Sequence, residues 1–267
     1  MDLSFPLTLN LYGDVLVGLA VSLVLLLVAW KLRQITRSGV VAGVTIGTIV
    51  FSAYGWPGFV LLFSFFLISE MVSRHAIAVQ TARRQAIGED NEGMRTFSAI
   101  FVPGIIPALA GLVMIFSHEE ANRFLSLLAF VAALTTALGD MVSTDLGQVY
   151  AKRTYQLITL ERVRAGTRGG VSVEGSVYGG VTIVFFVIFA FTLFHLAGFS
   201  LREHDLYLGT KALVILISAA VIANHIESVA SGVLGQFQRR PNKYALNLLG
   251  ASVGALLAVF FTNLPEA

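Results

Sequence analysis

"SGVVAGVTIGTIVFSAYGWPGFVLLFSFFLIS", residues 38–69, runs for 32 positions without a charged side chain. A membrane-spanning helix needs roughly 20 apolar residues, with about 17–25 tolerated. The stretch is interrupted by "GWPG" at 55–58, so it reads as two crossings, 38–54 and 56–73. Applied outward, the same reading gives six more: 13–32, 97–117, 124–142, 175–198, 206–225 and 244–262. Between them lie "KLRQITRS", the polar run 74–96, "SHEEANR", the loop 143–174, "LREHD" and "QFQRRPNK". Composition agrees: 56% of the 267 residues are hydrophobic and 13% are charged, against about 25% charged in a soluble domain. The expected fold is all-α, a polytopic bundle of about eight spans forming one multi-pass domain over 1–267, with a Gly/Arg-rich loop.

Cysteine is absent, which removes disulfides, thiolate metal sites and cysteine nucleophiles. A net charge of +2 is too small to suggest nucleic acid as a partner. The N-terminal "MDLSFPLTLNLYGD" has neither a basic n-region nor an Arg-rich amphipathic pattern, so no cleaved leader is expected. Of 18 Lys and Arg, only Arg123, Arg202 and Lys211 fall on one side of the eight-span scheme; fifteen fall on the other. The positive-inside rule makes the second side cytoplasmic, with loops 74–96, 143–174 and 226–243 there and both termini outside.

Gly39, Gly43 and Gly47 recur every fourth residue, as do Gly250 and Gly254. That spacing lets helix backbones approach closely in lipid, within the chain or in a homodimer. Glu70 and Arg74 read as a helical ion pair, and His225 reads equally as a packing residue or a functional one.

Two spans carry more polar character than packing needs. In "TTALGDMVSTDLGQ" (135–148), Thr136, Asp140, Ser143 and Gly147 fall on one helical face. Asp145 lies about 140° round from Asp140 on an ideal helix. If both carboxylates are to meet one ligand, a break near Gly139 or Gly147 is expected, and membrane helices tolerate breaks that line a polar cavity. In "ANHIESVAS" (223–231), Asn224, Glu227, Ser228 and Ser231 form a second stripe. Both stripes reach the same end of the bundle. Acidic oxygens without His or Cys suit a hard ion, and Mg²⁺ takes one or two carboxylates with waters and substrate phosphates.

The loop "ERVRAGTRGGVSVEGS" (161–176) lies at that same end. Its glycines permit a backbone N–H nest for an anion. Thr167 and Ser172 offer hydroxyls, and Arg164 and Arg168 offer fork-shaped donors. It matches neither the Walker pattern nor the dinucleotide fingerprint, so a plain connector remains the other reading.

"GDMVSTDLG" (139–147) followed by "LITLERVRAGTRGGVSVEGS" (157–176) resembles the signature of the phytyl-phosphate-kinase-like membrane family. This is the transmembrane-protein-19 group, long catalogued as a domain of unknown function. The resemblance extends to "RSGVVAG", "EGMRTFSAIFVPGIIPAL" and "IESVASGVLGQFQRRPNKYALNLLGA", and so covers nearly the whole chain. Asp145 stands where the family usually has Glu, Glu227 precedes Ser228 where Asp is usual, and Pro103 replaces Asn.

The resemblance implies phosphorylation of phytyl phosphate or a related prenyl monophosphate to the diphosphate, as in tocopherol biosynthesis. A nucleoside triphosphate, CTP foremost, is the implied co-substrate, with Mg²⁺. Asp140, Asp145 and Glu227 are then assigned to the metal, and Asp140, Asp145 and Arg168 to catalysis. Arg164, Gly166, Thr167, Arg168, Gly169, Gly170 and Ser172 take the donor phosphates. Arg95, Arg239, Arg240 and Lys243 take the acceptor phosphate. The expected location is a bacterial-type cytoplasmic or thylakoid membrane. A CTP-dependent lipid-alcohol kinase or cytidylyltransferase would use similar equipment, and a non-enzymatic lipid or anion transporter is the alternative of another class.

Overall fold

The computed structural model describes residues 11–82, 95–167, 169–198, 205–236 and 243–264, without the side chains of 205–208 and 235–236. Arg168, Arg239 and Arg240, expected at the site, lie outside the described residues. Seven helices are present among those described: α1 (Leu11–Lys31), α2 (Arg37–Ala82), α3 (Phe97–Phe116), α4 (Glu120–Tyr150), α5 (Val173–Leu196), α6 (Asp205–Gln236) and α7 (Lys243–Thr262). Each contains a segment long and apolar enough to cross a membrane.

The seven helices retain both crossings read from residues 38–73. Straight, the 46 residues of α2 would run about 69 Å at 1.5 Å per residue, over twice a hydrocarbon core of about 30 Å. At Gly55 the backbone leaves helical space, with φ 64° and ψ −159°, a conformation glycine adopts without a Cβ clash. Pro57 follows at the start of the second arm, where its missing N–H costs nothing. The arms fold back on each other. The rings of Phe51 and Phe59 are 5.9 Å apart, and Phe59 would lie 3.2 Å from a Cβ added at Gly47. In a straight helix positions 47 and 59 would be about 18 Å apart.

Helix α4 is the central post, touching α2, α3, α5, α6 and α7, and residues 130–139 are buried without interruption. Helix α1 packs on the outside of α2. Added Cβ atoms at Gly43 and Gly47 would meet Leu26 and Ser22 of α1, and one at Gly39 would meet the carbonyl of Arg95. These small-residue positions are thus filled within one chain.

Two expectations need correction. Helices α4 and α6 run past the apolar windows 124–142 and 206–225, to Tyr150 and Gln236. Apolar windows mark membrane depth, whereas these helix ends are polar segments that pack on neighbouring helices and the sheet. The segment read as a loop over 143–174 is helix to Tyr150, then a small antiparallel sheet of β1 (Thr154–Gln156), β2 (Arg162–Val163) and β3 (Gly170–Ser172). Its order is β2-β1-β3, with Thr154 opposite both Val163 and Ser172. The bundle is helical with this one β insertion.

Candidate functional site

A cavity of about 440 Å³ opens where α4, α5, α6 and α7 approach the sheet. Asp140, Asp145 and Glu227 all line it, together with Gly166, Thr167, Gly169, Gly170, Ser172 and Lys243. Of the two polar stripes, Ser143 and Gly147 on α4 and Asn224, Ser228 and Ser231 on α6 are also in the lining.

The expected break in α4 is absent: the helix is continuous from Glu120 to Tyr150. The two aspartates reach one cavity because it wraps round the end of the post. Asp145, 8% exposed, turns towards α2, where Ser73 Oγ donates to its Oδ2 at 2.5 Å. Asp140 lies on the α5–α6 side. There Asn224 of α6, with its amide nitrogen towards α4, donates to the Thr136 carbonyl (3.1 Å) and accepts from the Asp140 N–H (3.2 Å). An uninterrupted helix pairs those two backbone groups with each other, so Asn224 brackets the turn that carries Asp140. Gly139 leaves the room: a Cβ there would sit 3.0 Å from the Asn224 side-chain amide and 2.6 Å from Ile183.

Glu227 is 6% exposed and occupies a notch in α7. A Cβ at Gly250 would overlap its Oε2, and one at Gly254 would overlap Thr136 Oγ1. The Gly250/Gly254 pair therefore seats two polar side chains as well as letting helices close. Electrostatically Asp140 is central. Asp145 and Lys243 both act on it, and it acts on Glu227.

The Gly-rich segment is a pair of tight turns crossing from β2 to β3. Thr167 N–H donates to the Arg164 carbonyl (3.1 Å), and Gly170 N–H donates to the Thr167 carbonyl (2.9 Å). Gly166 and Gly169 hold φ of 86° and 70°. Ser172 caps α5 by accepting from Gly175 N–H at 3.0 Å, which leaves its hydroxyl hydrogen available to a ligand.

Arg164 and Arg95 do not line the cavity. Arg164 is exposed. Arg95 pairs with Glu70 at 2.5 Å and donates to Ser69 Oγ at 3.1 Å. The expected Glu70–Arg74 pair is present, also at 2.5 Å. Ser73, Gln148 and Asn247 also line the cavity. No spacing or motif marks them, and only the helix packing brings them there.

Among the described residues no three Asp, Glu or His side chains are grouped closely enough to hold a metal unaided. The donor set still fits Mg²⁺, which takes one or two carboxylates and completes its octahedron with waters and substrate phosphates.

The chain is similar to an uncharacterized membrane protein, sll0875, of Synechocystis sp., at 28% identity over 80% of this chain and 77% of that protein. It is 25% identical to Protein VTE6, chloroplastic, of Arabidopsis thaliana, over 84% of this chain and 64% of the relative. It is 24% identical to an uncharacterized membrane protein, MJ0933, of Methanocaldococcus jannaschii, over 91% and 92% of the two chains. No solved structure matches it. The model of the family "Integral membrane protein DUF92" matches residues 20–262, and the chain, with its ring of apolar helices round α4, belongs to that integral membrane family.

Proposed function

We propose that the protein is a membrane-embedded prenyl-phosphate kinase, which transfers the γ-phosphoryl group of a nucleoside triphosphate, CTP foremost, to phytyl phosphate or a related monophosphate. The carrying observation is that Asp140, Asp145 and Glu227 line one cavity with Gly166, Thr167, Gly169, Gly170 and Ser172. The signature resemblance points to the same chemistry. In this reading the sheet end faces the cytoplasm, which supplies the nucleotide.

An acceptor phosphate oxygen forms the new P–O bond to the γ-phosphorus. The bond to the β–γ bridging oxygen breaks, and the nucleoside diphosphate leaves with that electron pair. The acceptor is already ionised, so no strong general base is needed, and positioning with charge neutralisation carries the step. Asp140 with Glu227 or Asp145 would hold Mg²⁺, which when bound offsets phosphate charge. The Gly166–Gly170 turns with Arg168 bind the donor phosphates, and Lys243 at the cavity wall steadies the acceptor phosphate, with Arg239 and Arg240 on the preceding segment. Asn224 and Ser73 position Asp140 and Asp145.

The test is purified protein with γ-labelled CTP, ATP, GTP and UTP against prenyl alcohols, prenyl monophosphates and phosphatidate. Label appearing in a prenyl diphosphate is the expected result. Label in a monophosphate made from free alcohol, diphosphate release with phosphatidate, or solute movement across liposomes without turnover would overturn it.

The α7 notch adds a second check. Gly250→Ala forces only the tip of Glu227 to move, so the thermal midpoint is expected to hold. The Mg²⁺ needed for half-maximal rate is expected to rise about tenfold, in the range seen when groups supporting a metal ligand are lost. An unchanged Mg²⁺ titration would remove Glu227 from the metal assignment.

A further inference from the structure

The cavity continues upward from the sheet. Its far lining is Gly179, Gly180 and Ile183 on α5 and Val221, Asn224 and His225 on α6. Gly180 lies five residues inside the apolar window 175–198 and Asp140 two residues inside 124–142. At 1.5 Å per residue these are depths of about 8 and 3 Å. Ser176 and His225 line the cavity and are also exposed. The cavity therefore reaches the surface sideways, between α5 and α6, at the edge of the apolar windows 175–198 and 206–225, where the surface borders lipid.

The two glycines on α5 differ. A Cβ at Gly179 would sit 2.7 Å from Ser143 Cβ, so this glycine serves the contact with α4; a Cβ at Gly180 would meet nothing within 4 Å. Packing does not account for the second glycine, whereas an opening at the lip does. Across the gap, His225 Nδ1 lies 2.8 Å from the Val221 carbonyl, so it is the donor, and the ring is held against its own helix.

Resting on the kinase reading, we propose that this gap is a lateral portal occupied by the single hydrocarbon chain of a prenyl monophosphate. The phosphate enters to the carboxylates and the chain stays in the bilayer between α5 and α6. The volume supports this division. At about 440 Å³ the cavity is near the low end for small-molecule pockets, about 300–1,000 Å³. Acceptor and donor phosphates fill such a space, and a long chain must leave it. The apolar surface beside the gap, Val181 and Phe185 at 50% and 69% exposure, is where that chain would continue.

The test uses a C15 prenyl monophosphate bearing a terminal diazirine, photolysed with the full chain in nanodiscs and mapped by mass spectrometry. Adducts are expected on residues 176–184 and 221–225, prevented by excess C20 prenyl monophosphate but not by phosphatidate. Competable adducts on α1 or α3, equal competition by phosphatidate, or adducts that no phosphate suppresses would overturn the portal. Gly180→Trp should cut portal labelling at least tenfold and lower the C20-to-C5 ratio of kcat/KM at least tenfold. Leu109→Trp, on the exposed outer face of α3, should change neither, and equal behaviour of the two variants would also overturn it. Labelling needs no phosphoryl transfer. Portal-specific adducts from a protein without turnover would leave the portal standing and sink the reaction.

Discussion

Asp140→Asn is expected to lower kcat by about 10³-fold with little change in the thermal midpoint. The substitution preserves side-chain size and removes one charge. The backbone at 140 is held independently, by Asn224 at its N–H and by Ser143 Oγ donating to its carbonyl at 3.1 Å, so the helix turn survives. What is lost is the carboxylate that shares the cavity with Asp145 and Glu227. Removing one preorganised electrostatic group from a transfer site costs about 10²–10³ in rate, and the loss of metal affinity adds to it. Asp145→Asn is expected to be milder. Its carboxylate is already engaged by Ser73, and an Asn oxygen can still accept that bond. Single-turnover rates across a Mg²⁺ titration separate the two cases. A native rate for Asp140→Asn at limiting Mg²⁺ would remove Asp140 from the chemistry.

The helical bundle was legible because each crossing announces itself locally: an apolar run, a polar break and a one-sided distribution of Lys and Arg. Even the Gly55 turnback was readable, since "GWPG" interrupts an uncharged run too long for one crossing. The sheet was not legible. Strands of two and three residues are too short to show alternation, and what holds them is the pairing of Thr154 with Val163 and Ser172, which no local pattern encodes. The carboxylates could be named from their cost at membrane depth, but their route to one cavity could not. The spacing of Asp140 and Asp145 argued for a broken helix, whereas the protein keeps α4 intact and brings Ser73 and Asn224 to its two sides. Arg95 shows the converse limit. As a cation expected on the same side of the membrane as the site it suggested a phosphate ligand, whereas the packing of α2 on α3 pairs it with Glu70, away from the cavity lining.

Gly169→Val should abolish turnover while leaving helix content and membrane insertion intact. Two effects coincide at this position. Its φ of 70° costs a residue with a Cβ roughly 1–2 kcal/mol. The larger effect is contact: a Cβ would lie 2.5 Å from Gly232 Cα, 2.6 Å from Gly232 N and 3.0 Å from the Ser228 carbonyl. All three are backbone atoms of α6, so no side chain can move aside. Either the turn lifts off α6 or α6 shifts, and Ser228 and Glu227 line the cavity on that helix. Gly166 separates the two effects. Its φ is 86°, yet a Cβ there would meet only the Gln148 side chain, at 3.7 Å. Gly166→Ala should therefore bear the conformational cost alone and keep measurable turnover, while Gly169→Ala already loses most of it. Hydrogen exchange gives a readout independent of activity. In Gly169→Val, amide protection over residues 154–172 should fall towards that of an undocked segment, because the β1–β3 pairing would no longer be braced on α6. Nucleotide affinity should fall with it, since the turns would no longer line the cavity with the carboxylates. A connector with no role in the site would show neither change, and native turnover with native protection in Gly169→Val would remove the turns from the donor site.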